Sequence, residues 1–158
     1  MQAIVRRAER ADVSAIVALY LEVADEVVAR EPTFRHAPSA AAVEGRYITR
    51  IDEDDRMVMV ADLDDAVVGF VDSLLRHHLD AGTYHAPGID AYVDELIVTS
   101  RHRRRGVGHA LLKGVEAWAR DAEARMVVLD THVTNTIARA LYASMAYREF
   151  GVSLIKDL

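Results

Sequence analysis

The sequence predicts a mixed α/β (α+β) fold in one domain over residues 1–158. Apolar, valine-rich runs alternate with segments whose apolar residues recur at helical spacing, in the order β-α-α-β-β-β-α-β-α-β. The 158 residues, 51% hydrophobic and 28% charged, supply apolar surface for one core and exclude a disordered or repetitive chain. A tight turn joins two of the early strands, whereas a later strand, helix and strand succeed one another as in a crossover. The expectation is a central mixed sheet, antiparallel early and parallel late, flanked by about four helices.

Ala3 to Arg6 reads as a short strand, followed by a helix in which Val13, Ile16, Val17, Tyr20 and Val27 share a face behind Asp12 as N-cap. Glu31-Pro32 ends that helix, and Pro32 and Pro38 mark a loop. Ser39 opens a second helix through Val43, Tyr47 and Ile51, closed by the acidic turn Asp52 to Asp55. Met57 to Ala61 and Ala66 to Leu75 form a hairpin around residues 62–65. Arg76 to Asp90, with His77, His78, Gly82, His85, Pro87 and Gly88, reads as a loop insertion. Tyr92 to Val98 is the next strand, and Val107, Leu111, Val115 and Trp118 mark the helix after it. Met126 to Asp130 is read as a buried strand, Ala138, Leu141, Tyr142 and Met145 as a helix face, and Tyr147 to Ile155 as a closing strand.

Nineteen Lys+Arg against 25 Asp+Glu give a formal net charge of −6, which argues against a general nucleic-acid binder. The basic run Arg101 to Arg105 is short and lacks interleaved aromatics. The absence of cysteine excludes disulfides, thiolate metal sites and a cysteine nucleophile. No run approaches the roughly 18 to 20 apolar residues of a membrane span, and the opening residues lack a signal-peptide core. A cytoplasmic protein without a membrane or nucleic-acid partner is expected.

The most informative stretch runs from Asp94 to Gly108, where an apolar strand, an arginine-rich loop and the pair Gly106 and Gly108 lead directly into a helix. Unpaired N–H groups and the positive end of the helix dipole make such a junction an anion seat, and glycine lets the backbone approach a ligand. Arg101, Arg103, Arg104 and Arg105 add charge, and a pyrophosphate fits the chemistry.

Arg103 to Gly108 resembles the cofactor motif of the GCN5-related N-acetyltransferase (GNAT) family: Arg or Gln, two residues, Gly, one residue, Gly or Ala. The resemblance extends back to Glu95-Leu96-Ile97-Val98, similar to that family's fourth strand. It extends forward to Asn135, Ala138, Leu141, Tyr142 and Met145-Ala146-Tyr147, and Val5 to Leu19 resembles its first strand and helix. Ser100, Arg104 and Ala146-Tyr147 depart mildly from the family pattern. The resemblance implies acetyl-CoA as cosubstrate, bound where strands four and five splay. Its pantetheine would pair with the backbone of Leu96, Ile97 and Val98, and its pyrophosphate would sit on the amides of Arg103, Arg104, Arg105, Gly106, Val107 and Gly108. Direct acetyl transfer to a primary amine of a small molecule or peptide follows.

Such a reaction needs a base for the ammonium and an acid for the leaving thiolate. Glu95, in an otherwise apolar strand, is the candidate base; a structural carboxylate, or one that holds a catalytic water, is the alternative. Asp94, on the opposite strand face, is the second candidate. Tyr142 resembles the family's general acid, against the alternative of a core tyrosine. Asn135 suits an N-cap, a pantetheine contact, or both. The histidines lack the spacing of a metal site, so no metal is expected. His77, His78, Tyr84 and His85, with Tyr20, Glu22 and Phe34, are expected around the acceptor channel. A homodimer through an exposed C-terminal strand is expected, and a non-catalytic acyl-CoA-binding module is the competing reading.

Overall fold

The computed structural model describes residues 3–30, 38–79 and 86–156. Strands β1 (Ile4–Arg7), β2 (Arg56–Leu63), β3 (Ala66–His78), β4 (Gly88–Val98) and β5 (Val127–Leu129) lie side by side in sequence order. The first four are antiparallel, and β5 joins β4 in parallel after the crossover helix. The expected mixed sheet is therefore present, with helices α1 (Val13–Arg30), α2 (Ala40–Arg50), α3 (Val107–Asp121) and α4 (Thr136–Ser144) around it.

Alternation along the strands gives the sheet two apolar faces. On one, Ile16 and Leu19 of α1 and Val43 and Tyr47 of α2 pack on Val58, Val60, Phe70 and Ile97. On the other, Val107, Leu111 and Val115 of α3 pack on Ala61, Val68 and Val71. Each fully buried aliphatic side chain contributes about 1.5–3 kcal/mol, so the two layers anchor α1 and α3 firmly. Helix α4 has no fully buried residue.

Local chemistry explains where the elements begin and end. Asp64 and Asp65 adopt left-handed conformations (φ 53° and 61°) in the two-residue turn between β2 and β3, which short polar side chains tolerate. Ser39 caps α2, its hydroxyl accepting from the Ala42 N–H at 3.2 Å. Asp12 is not the N-cap of α1: it closes a 3-10 turn over Arg10–Asp12, where its carboxylate accepts from the Glu9 N–H at 2.8 Å. Arg6 also donates to Asp12, at 2.7 and 2.9 Å, and these bonds hold its carboxyl below the ordinary value.

Three expectations are corrected. Strands β3 and β4 extend into the segment read as a loop, with His77 paired to Ile89 and His78 to Gly88. The fifth strand has three half-buried residues, and Met126 before it is exposed. Residues 147–156 form no strand: Phe150, Val152 and Leu154 alternate as strand residues do, but they are 77%, 84% and 90% exposed, without a partner strand.

Candidate active site

Glu95 owes its position to a β-bulge. In the register of β3 and β4, Ser73 faces Val93 and Asp72 faces Glu95, so Asp94 is the extra residue without an opposite number. Val93 packs on the α3 side, whereas Ile97, two residues beyond Glu95, packs on the α1 and α2 side. The inserted residue turns Glu95 and Asp94 toward α1 and α2 together, which corrects the expectation that they occupy opposite faces.

The environment of Glu95 is a half-buried pocket of aromatic and charged groups. Tyr20 of α1 donates its hydroxyl to Glu95 Oε1 at 3.4 Å. Arg46 of α2 donates Nη1 to the Tyr20 oxygen at 3.3 Å and lies 5.4 Å from the centre of the Tyr20 ring. Burial pushes the Glu95 carboxyl above its ordinary value and the charge of Asp72 adds to this, while Arg46, the Tyr20 hydrogen bond and Arg50 pull the other way. A carboxylate with raised basicity beside an open cleft suits proton abstraction from an ammonium group.

Behind Glu95 lies an ion network. Asp72, fully buried, accepts from Arg50 Nη1 at 2.5 Å and from Arg56 Nη1 at 2.7 Å. Arg56 Nη1 also donates to Asp94 at 2.9 Å and its Nε to Glu53 at 2.8 Å. Asp94, committed to these arginines, is thereby a structural carboxylate. Tyr47 stands edge-on to Phe70, with ring centres 5.4 Å apart, and its buried hydroxyl has no hydrogen-bond partner.

On the neighbouring edge of β4 the sheet opens. Pairing with β5 covers Ala91, Tyr92 and Val93 only, so from Glu95 to Val98 the strand has no partner on that side. This is the splay expected from the resemblance. The loop beyond is held from α1: Glu22 accepts from the Ser100 N–H at 2.8 Å and from the hydroxyls of Thr99 and Ser100. Arg103 bonds Glu26 at 2.9 Å and the Val98 carbonyl at 3.2 Å. The Arg103 side chain thus braces the loop and is turned to protein rather than to an anion.

At the start of α3 the first helical bond runs from the Ala110 N–H to the Gly106 carbonyl. The N–H groups of Val107, Gly108 and His109 therefore have no acceptor one turn back. Arg104 (φ 62°) and Gly106 (φ 82°) turn the chain in left-handed conformations, and the space a Gly106 side chain would occupy is open. The residues suit a pyrophosphate: free amides, a helix dipole, an open approach, and Arg105, His109 and Lys113 along the same helix end. Gly108 serves packing instead, because a Cβ there would lie 3.1 Å from Leu141 of α4. Gly108→Leu is expected to displace α4 and weaken acetyl-CoA binding at least tenfold in calorimetry, about 1.4 kcal/mol.

Asn135 caps α4, its Oδ1 accepting from the Ala138 N–H at 3.3 Å. Tyr142 is half-buried on that helix, 6.0 Å from the Tyr147 ring, and burial pushes its phenol pKa up. It therefore keeps its proton at neutral pH.

Of the residues expected around the acceptor, Tyr20 touches Glu95, whereas Glu22 is bound to the loop before α3. His77 and His78 end β3, roughly 17 Å along the strand from Asp72 at ~3.3 Å per residue, where they pair with Asp55 and Asp90. The structure does not bring them to Glu95. Phe34, Tyr84 and His85 lie outside the described residues. Among the described residues no group of three or more His, Asp or Glu is placed to hold a metal, and no helix is long and apolar enough to cross a membrane.

A carboxylate facing the helices on one side of a bulged strand and a turn suited to an anion at the end of its splayed edge thus lie along one strand. Residues 16–147 match the acetyltransferase (GNAT) family. The chain belongs to that family. It is 30% identical over 128 residues to N-acetyltransferase 8 of Homo sapiens, covering 80% of this chain and 54% of that protein. The match thus spans about half the length of that relative. Aminoglycoside N(6')-acetyltransferase type 1 of Salmonella typhimurium is 25% identical over 114 residues, 72% of this chain and 76% of that one. The fold superposes on aminoglycoside acetyltransferase AAC(6')-Iy in complex with a CoA bisubstrate analogue. The TM-score is 0.76 at 19% identity, over 100% of this chain and 99% of the other.

The bulge, the network around Asp72, and the pairing of Arg46 with Tyr20 escaped sequence reasoning. One signal was present: an aspartate between Val71 and Ser73 in an otherwise apolar strand requires a buried cation.

Proposed function

We propose that this chain transfers the acetyl group of acetyl-CoA directly to a primary amine of a small molecule or peptide, with Glu95 as base and Tyr142 as acid. The observation that carries the reading is the position of Glu95. It is half-buried, raised in basicity, and adjacent on β4 to a strand edge with no partner. The backbone of Leu96, Ile97 and Val98 would hold the pantetheine and the amides from Arg103 to Gly108 the pyrophosphate. A β4 N–H directed at the thioester carbonyl would stabilise charge developing there. Glu95, directly or through a water, takes the ammonium proton before attack, and Tyr142 supplies one to the departing thiolate. With no cysteine in the chain, an acyl-cysteine intermediate is excluded.

The names of the aminoglycoside acetyltransferases it resembles support a small-molecule amine as acceptor. We place the enzyme in the cytoplasm, where acetyl-CoA is held. We further propose a homodimer: the apolar side chains of Phe150, Val152 and Leu154 and the sparsely covered α4 lie exposed in one chain and would be buried between two. Light scattering giving the monomer mass at micromolar concentration would remove the dimer.

The test of function is release of free thiol from acetyl-CoA across a panel of amines, for which a cysteine-free protein gives no background. Turnover is expected with at least one amine class; acetyl-CoA binding without turnover of any amine would establish the non-catalytic module instead. Tyr142→Phe is expected to lower kcat about tenfold to a hundredfold with KM for acetyl-CoA little changed. A kcat within twofold of the parent would remove Tyr142 as the acid.

A further inference from the structure

The charges between α1, α2 and the sheet fall into two groups. Asp72 and Asp94 are neutralised by Arg50 and Arg56, Arg103 by Glu26, and Glu22 by the loop before α3. Among the described residues, Glu95 and Arg46 make no salt bridge in this pocket. Arg46 has one hydrogen bond, to the Tyr20 hydroxyl at 3.3 Å, and one ring contact, to Tyr20. It is half-exposed, and among the described residues no carboxylate lies within ion-pair distance of it. A guanidinium has five N–H donors in a planar fork, and a single hydroxyl leaves most of them available.

Glu95 and Arg46 flank the same oxygen, since the Tyr20 hydroxyl donates to Glu95 at 3.4 Å and accepts from Arg46. An anionic base and an unpaired cation are thus separated by the width of one hydroxyl group. An acceptor amine held at Glu95 would place an atom group one or two carbons away near Arg46. That group is attracted if it is anionic and repelled if it is a second ammonium.

Resting on the transferase reading above, we infer that Arg46 binds a carboxylate adjacent to the acceptor amine, so that the acceptor class is α-amino acids and their close amine-carboxylate relatives. A polycation such as a polyamine or an aminoglycoside would bring its neighbouring ammonium against the Arg46 guanidinium. The bidentate fork of Arg46 matches a carboxylate, and its guanidinium is held from the protein side by the Tyr20 hydroxyl at 3.3 Å.

The experiment compares kcat/KM for free L-amino acids, each beside its own amide, together with spermidine and an aminoglycoside, in the parent and in Arg46→Gln and Arg46→Lys. The amide's amine is less basic, and at neutral pH more of it is unprotonated, so ionisation alone favours the amide. The parent is expected to prefer the acid over its amide by at least about tenfold, through KM. In Arg46→Gln that ratio is expected to fall to near one, and Arg46→Lys to restore part of it. A parent that prefers amides, spermidine or the aminoglycoside overturns the inference. So does a ratio unmoved in Arg46→Gln while both rates fall, which would give Arg46 a role only in holding Tyr20 and Glu95. Turnover of some amine without a carboxylate preference overturns the inference and leaves the transferase reading intact; no amine-dependent thiol release with any amine defeats both.

Discussion

Replacement of Glu95 by Gln is expected to lower kcat/KM for the amine about a hundredfold, within the range for loss of a positioned general base. The substitution keeps volume and the hydrogen bond from Tyr20, so the loss reports the proton acceptor. The pH profile gives the sharper evidence. Without that base, log kcat/KM of Glu95→Gln is expected to rise with unit slope up to the pKa of the amine, because only amine already free in solution reacts. In the parent Glu95 takes the proton of bound ammonium, so the profile is level between the pKa of Glu95 and that of the amine and falls with unit slope below the first. Burial and the charge of Asp72 hold that pKa above the ordinary carboxylate value, so the fall begins closer to neutrality than for an exposed glutamate. A variant that retained both the rate and the level region would remove Glu95 as the base.

The second large effect concerns stability. Asp72→Asn removes the charge that faces Arg50 and Arg56 inside the protein, and Arg56 is nearly as buried as its partner, at 9% side-chain exposure. Breaking a buried pair by removing one member costs about 3–5 kcal/mol, since the remaining charge loses its counter-ion without regaining water. Arg56 keeps Asp94 and Glu53, so a value near ~3 kcal/mol is expected from the denaturant midpoint. Asp94→Asn is expected to cost less, because Asp94 is 26% exposed and water replaces part of its interaction. The same Asp72 variant carries a signature in catalysis. With the neighbouring negative charge gone, the Glu95 carboxyl becomes more acidic, and the acid limb moves to lower pH. Equal stability of Asp72→Asn and the parent would show the network to be dispensable.

Most of the architecture was legible in the sequence because it follows from periodicity and punctuation. The strand pair around Asp64-Asp65, the helix behind Ser39 and the glycine turn into α3 all appear where residue chemistry places them. The turn proposed to hold a phosphate was legible for the same reason: it is local, built from backbone within one loop and one helix turn. What was not legible is non-local. Nothing near Asp12 reveals that Arg6 draws it into the turn before α1. The alternation of Phe150, Val152 and Leu154 is a strand pattern, but a pattern does not supply a partner, and those residues lie in the open. The pocket around Glu95 joins Tyr20, Arg46 and Asp72 from three separate elements, and only the folded sheet shows that they meet.

The unpaired residue Asp94 makes the chemistry a matter of parity. Along β4 the side chains alternate, and whether a given residue faces α3 or faces α1 and α2 depends on an odd or even count from the start of the strand. Asp94 changes that count by one immediately before Glu95. Deleting a single residue there would leave Leu96, Ile97 and Val98 competent to pair with β3, in an intact sheet of almost unchanged composition. It would also put the carboxylate under α3 or move the apolar residues out of register. A related sequence can therefore retain the glycine motif, the strand and the glutamate and still lack the activity, if it differs by one residue in length between the start of β4 and that glutamate. Counting residues is in this sense a stronger test of function than matching them.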